Sequence, residues 1–257
     1  MSNISIVIVS KDQATEIKHM ASVLQEQLPN IERLFVLDRC IDNSKQVMTE
    51  LGEKFIEITE GVGFRIATAK NVGLQHVNPD NDVLFIDGDR YPHNISIELI
   101  NTALKKFDIT VLKCENEISR LWVNNEFTKN PNQHRLYNDV WGCGFVIRRS
   151  AIEKIKNINN GRLYTELFNG SWGEEDQNIG DMSYCLDLTC GAFPMYVYLN
   201  GELNYHMATT PQARKQYNIR KLLRMALCIK FNKQIDNDAE AGIDHSNDLK
   251  TDNLRYS

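Results

Sequence analysis

Four short apolar runs rich in β-branched residues, at 4–9, 33–37, 55–58 and 83–86, alternate with stretches of helical apolar spacing at 15–28, 44–51 and 66–76. Such runs suit strands buried on both faces, and parallel strands need a crossover segment that covers a face of the sheet between one strand and the next. The order strand, helix, strand, helix, strand, helix, strand predicts a parallel sheet wound with helices, an α/β fold. Ligands of such sheets sit outside the carboxyl ends of the strands. Three of those ends carry polar loops: Ser10-Lys11-Asp12, Asp38 to Ser44, and Asp87 to Arg90.

The fourth run delivers two carboxylates, Asp87 and Asp89, on either side of Gly88. Like charges that close repel unless a cation or a proton lies between them, and the glycine lets the backbone turn tightly. The stretch reads as a site for a hard divalent metal and the phosphate such a metal carries. No Gly-x-Gly-x-x-Gly follows the first strand and no P-loop occurs anywhere, so dinucleotide and P-loop readings are disfavoured.

Beyond this half, the pattern predicts a helix over 95–107, a strand over 109–114, a glycine-bearing strand over 141–147 and a helix over 150–158. The long polar stretch 115–139, with isolated Trp122, Phe127 and Tyr137, is the candidate acceptor region. Glu174, Glu175 and Asp176 follow Trp172 and Gly173; they read either as a solvated acidic helix start or as a functional cluster. A strand is expected over 195–199. A lone histidine such as His206 is more often structural than a ligand. Residues 211–233 hold seven basic residues and no acid, with an apolar stripe at Ile219, Leu222, Leu223, Ala226, Leu227 and Ile229. That predicts a helix packed through its apolar stripe with a solvated basic face; contact with a phosphate backbone or an anionic surface is the sharper alternative. Residues 234–257 are polar and Asp- and Asn-rich, and read as a flexible tail.

A length of 257 residues fits one large domain with an appendage, and a net charge of −5 argues against a surface that grips nucleic acid throughout. The six cysteines form no Cys-x-x-Cys pair, which points to free thiols in a reduced compartment. The run at 4–9 is too short for a signal sequence, and no stretch reaches the ~20 apolar residues of a membrane span. A cytoplasmic protein is expected.

Several of these stretches together resemble a metal-dependent glycosyltransferase of the GT-A fold over residues 4–207. The amino-terminal half is similar to family 2, and the carboxyl half to the galactosyltransferase and polypeptide N-acetylgalactosaminyltransferase type. The residues that carry the likeness are Ile4 to Val9, Phe35 to Asp38 with Asp42 to Ser44, Ala69-Lys70-Asn71-Val72-Gly73, Asp87-Gly88-Asp89, Gly142 to Ile147, Trp172-Gly173-Glu174-Glu175-Asp176, and His206. The departures are Lys70 where arginine is common, a single acid at Asp38, and Glu174 where a second glycine is usual.

The resemblance implies transfer of a sugar from a nucleoside diphosphate sugar, a UDP-sugar above all, to an acceptor hydroxyl. It places Asp38, Lys70, Asn71, Asp87, Gly142, Gly144 and Trp172 around the donor. Asp89 and His206, with Asp87 assisting, become ligands of Mn2+ or Mg2+. Asp176 becomes the base of an inverting reaction and Glu175 the residue that orients the acceptor; the reverse order and a retaining outcome stay open. The implied catalytic domain covers 1–210, with a nucleotide part up to 114 and an acceptor part beyond it, followed by the basic extension and the tail. The acceptor class is left open among glycan, lipid-linked, protein and nucleic-acid hydroxyls. Two rivals are a non-catalytic sugar-nucleotide or glycan-binding relative and a haloacid-dehalogenase-like phosphatase, whose nucleophile motif also ends a strand in Asp-x-Asp but continues differently.

Overall fold

The computed structural model describes residues 3–63, 65–114, 144–170, 174–199 and 211–234. In chain order the strands are β1 (Ile4–Ser10), β2 (Glu32–Asp38), β3 (Phe55–Ile58), β4 (Asp82–Asp87), β5 (Arg90–His93), β6 (Ile109–Cys114), β7 (Phe145–Ile147) and β8 (Cys190–Leu199). The helices are α1 (Ala14–Gln27), α2 (Ser44–Leu51), α3 (Ile66–His76), α4 (Ile97–Leu104), α5 (Arg149–Ile158), α6 (Glu175–Cys185) and α7 (Pro211–Lys230). A single 3-10 turn, Glu166–Phe168, precedes α6.

These strands form one sheet in the order β3-β2-β1-β4-β7-β6-β8-β5. β1 pairs in parallel with both β2 and β4, so the winding reverses beside β1, where ligand crevices form in sheets of this kind. The register puts Ser10 opposite Leu37 and Asp87 opposite Val9, and the three polar loops read from the sequence therefore share one edge. β7 runs antiparallel to both β4 and β6, while β6 and β8 are parallel.

Period-two alternation along each strand divides the core into two layers. Ile4, Ile6 and Ile8 with Phe35, Leu37, Leu84 and Ile86 pack against Ile17, Met20 and Leu24 of α1 and Ile100 and Leu104 of α4. Val7, Val9, Leu34, Val36, Val83 and Phe85 point the other way, onto Ala67 and Leu74 of α3 and Ile152 and Ile155 of α5. α3 lies close to the sheet because Gly73 has no side chain; a Cβ there would stand 2.4 Å from Val7 Cγ1.

Two elements depart from expectation. β5 carries Pro92 and borders the sheet, pairing only with β8, and an edge is where a strand tolerates proline. α7 is rotated about its axis relative to the predicted packing, with Leu227 of the predicted stripe still against the core. Its buried residues are Gln216, Arg220, Arg224 and Cys228, whereas Leu222 and Ile229 are 67% and 75% exposed. Arginine goes inside because it finds acids there: Arg220 donates to both oxygens of the fully buried Asp181, at 2.7 and 3.0 Å, and to Gln177 and Glu174. Among the described residues no helix is long and apolar enough to cross a membrane. The acceptor stretch 115–139 and the tail from 235 onward lie outside the described residues.

Candidate active site

β4 ends at Asp87, and the next residue approaches β1 closely enough to exclude any side chain. Gly88 donates its N–H to the Val9 carbonyl at 2.8 Å, and a Cβ on it would lie 2.7 Å from Gln13 Oε1 and 2.9 Å from Ser10 Cβ. The glycine is needed for this approach, and its two neighbours are thereby held at the sheet edge. Gly144, ahead of β7, backs the same region with φ of 139°, and its missing Cβ would come within 3.2 Å of the Phe85 carbonyl.

Behind Asp87 sits a buried charge cluster. Lys70 projects from α3 with 2% of its side chain exposed, and its Nζ lies 2.9 and 3.0 Å from the two oxygens of Asp176, 3.4 Å from Asp87 Oδ1 and 3.7 Å from Glu175 Oε1. The two acids come from the first turn of α6, where the partial positive charge of a helix amino terminus favours them. Glu174, just before that helix, takes a left-handed φ of 74°, and Arg220 of α7 holds its carboxylate at 3.2 Å. The Tyr164 ring lies 5.3 Å from Lys70 Nζ.

Burial decides the electrostatics of this cluster. Removal from water pushes the Glu175 carboxyl up to about 8, helped by the neighbouring Asp176. It raises Asp176 too, against the pull of Lys70. Burial opposes the charge on Lys70, but Asp176, Asp87 and Glu175 outweigh it and keep the ammonium well above its usual range. At neutral pH the cluster therefore contains a lysine cation bonded to both oxygens of Asp176, and a proton on Glu175.

The other predicted site residues are placed as follows. Asn71 is buried and uses both ends of its amide on the Tyr164 backbone, at 2.9 and 3.0 Å. Asp38 is 3% exposed and bonded through both oxygens to Arg39, whose guanidinium also donates to the Gly63 carbonyl. Asp89 has 29% of its side chain exposed, with Arg90 Nε 3.5 Å from Oδ1. Gly142, Trp172 and His206 lie outside the described residues.

A hard divalent cation fits the Asp87 and Asp89 pair by donor type. Both offer carboxylate oxygens, and among the described residues Asp87 Oδ1 is buried with no hydrogen bond and has the Lys70 ammonium, 3.4 Å away, as its ion-pair partner. One group of three metal-type ligands within 4.8 Å of one another occurs elsewhere among the described residues, at Asp12, Cys40 and Asp42. Its carboxylates already accept from the Ile41, Ala14 and Ser44 backbone N–H groups, and these bonds tie the loop after β1 to the loop after β2.

Sequence reasoning placed Lys70 at the donor and missed its link to Asp176. The two residues are 106 positions apart, and no local pattern signals the contact. The only hint was a lysine within a helix face otherwise filled by small and apolar residues.

The fold has solved counterparts. TarS of S. aureus, determined in complex with UDP-GlcNAc, matches with a TM-score of 0.67 and 16% identity over 92% of this chain and 68% of that one. GalNAc-T7 with UDP, GalNAc and Mn2+ matches with a TM-score of 0.63 and 14% identity over 86% of this chain and 48% of its own. Glucosyl-3-phosphoglycerate synthase from Mycobacterium tuberculosis, with Mn2+, UDP and phosphoglyceric acid, gives 0.57 and 11% over 92% and 81%. The chain spans 41% of the longer TarS structure. A comparison with curated proteins found no match.

A mostly parallel sheet with its polar loops on one edge, in company with these structures, is the GT-A type fold. Residues 5–156 match glycosyl transferase family 2, and the chain belongs to that family. That family is one of glycosyltransferases, which sets the phosphatase reading aside.

Proposed function

We propose that the chain transfers a sugar from a UDP-sugar to an acceptor hydroxyl with inversion at the anomeric carbon, assisted by Mn2+ or Mg2+. The observation that carries this reading is the meeting of Asp87, at the end of β4, with Glu175 and Asp176, in the first turn of α6, around the Lys70 ammonium. UDP-GlcNAc in the TarS structure, and UDP with Mn2+ in GalNAc-T7, support the donor and the ion. The likeness to GalNAc-T7 also supports the galactosyl and N-acetylgalactosaminyl type for the carboxyl half.

Asp87 and Asp89 would hold the ion, with His206 as the third ligand by resemblance. A bound ion supplies a Lewis acid that offsets the negative charge of the leaving diphosphate. Asp176 is the base. It must be ionised to accept the acceptor proton, and the Lys70 ammonium keeps it so, while burial leaves its proton affinity above that of an exposed aspartate. Glu175, protonated at neutral pH, donates a hydrogen bond that orients the acceptor oxygen. Asp38 closes the nucleoside side of the site, where its bond to Arg39 ties the β2 end to the loop at Gly63.

Isothermal titration of UDP in the presence of Mn2+ tests the metal assignment. Asp89→Ala is expected to weaken Mn2+-dependent UDP binding at least about tenfold with an unchanged melting temperature. Wild-type affinity in that variant sinks the assignment.

A further inference from the structure

We infer that Lys70 is a positioning residue for Asp176 rather than a contact to the nucleotide, and that it couples the acid on the leaving-group side of the site to the acid on the acceptor side. The inference deepens the reading above and rests on it for the role of Asp176.

Three observations carry it. The ammonium is committed inward, with 2% of the side chain exposed, so a donor in the crevice has little of it to touch. Its nearest atoms are the two Asp176 oxygens, held almost symmetrically at 2.9 and 3.0 Å. Its next neighbour among the acids is Asp87 Oδ1 at 3.4 Å, on a different element. One cation thus spans β4 and α6, whose carboxylates lie 89 positions apart in the chain by subtraction of 87 from 176.

The physical consequence is directional. An ammonium presents three donors from one point, and two taken by Asp176 fix the carboxylate plane while leaving each oxygen a further lone pair for an acceptor proton. Without the cation, Asp176 faces Asp87 and Glu175 in a dry cluster, and like charges there drive it to another rotamer or to the protonated form. Either change removes the base. Asn71, one residue on, performs the matching service for the backbone, since its amide grips both backbone polar groups of Tyr164 and so fixes the α3 face from which Lys70 projects.

The test separates turnover from donor binding in the full chain. Lys70→Met is expected to lower kcat by roughly a hundredfold or more while the Kd for UDP with Mn2+ stays within about threefold. Lys70→Arg, which keeps the charge and can fork onto a carboxylate, is expected to restore kcat to within about tenfold of wild type. A UDP Kd raised tenfold or more in Lys70→Met with kcat retained, or an arginine variant as inactive as the methionine one, overturns the inference.

A second readout needs no activity and stands if the proposed donor proves wrong. In urea unfolding, Lys70→Met combined with Asp176→Asn removes both charges of the pair. The double variant is expected to be more stable than the sum of the single losses allows, by roughly tenfold or more in the folding equilibrium. Additive losses overturn the pairing itself, and the double variant also covers the case in which Lys70→Met alone does not fold.

Discussion

Glu175 and Asp176 are adjacent in sequence and nearly equal in burial, yet the structure gives them different chemistry. Only Asp176 bonds the Lys70 ammonium, and Glu175 Oε2 is buried with no hydrogen bond. Glutamine mimics a protonated glutamate, so Glu175→Gln should retain turnover to within about tenfold, whereas Asp176→Asn should lose about 10² to 10⁴ in kcat. The same difference appears in stability. The Glu175 carboxyl rises from its ordinary 4.5 to about 8 on folding, so across that window the native state holds a proton that the unfolded chain has released. Stability is then highest below the lower value, falls as pH rises through the window, and levels off above about 8. Urea midpoints taken across that range should show this fall in wild type and a flatter profile in Glu175→Gln; identical slopes would contradict the assignment.

At the scale of elements, local pattern was a good guide wherever an element's neighbours are dictated by its own periodicity. α2, α3, β3 and β6 have the bounds that apolar spacing predicts. β5 was not legible. It is four residues long, polar, and contains proline, and it exists as a strand because β8 pairs with it. The face of α7 was misread for a related reason. Period analysis assumes that apolar residues go inward, but Asp181 on α6 and Glu174 just before it supply partners that make Arg220 the buried residue. Arg220→Met should therefore cost about 3 to 5 kcal/mol, since it leaves Asp181 buried without its cation. The urea midpoint measures this, and a change under about 0.5 kcal/mol would show that the α6–α7 ion pair does not hold the two helices together.

For the molecule as a whole, residues 5–156 supply the family membership and the carboxyl elements supply Glu175 and Asp176. The match to glycosyl transferase family 2 ends at residue 156, before Glu175 and Asp176. The Asp-x-Asp and the Glu-Asp stretches were both visible as sequence motifs, and each sits at the end of an element where its spacing placed it. What joins them was not visible, because Lys70 reaches Asp176 across 106 positions of sequence and Asp87 by the packing of α3 on the sheet, and neither contact has a local pattern. The claim that most depends on this joining is catalytic. Release of UDP from a panel of UDP-sugars, measured with and without Mn2+ for wild type and Asp176→Asn, tests it directly. Mn2+-dependent release by wild type, reduced about 10² to 10⁴ in the variant with UDP affinity intact, is the predicted result. Equal release by the two proteins would contradict the account.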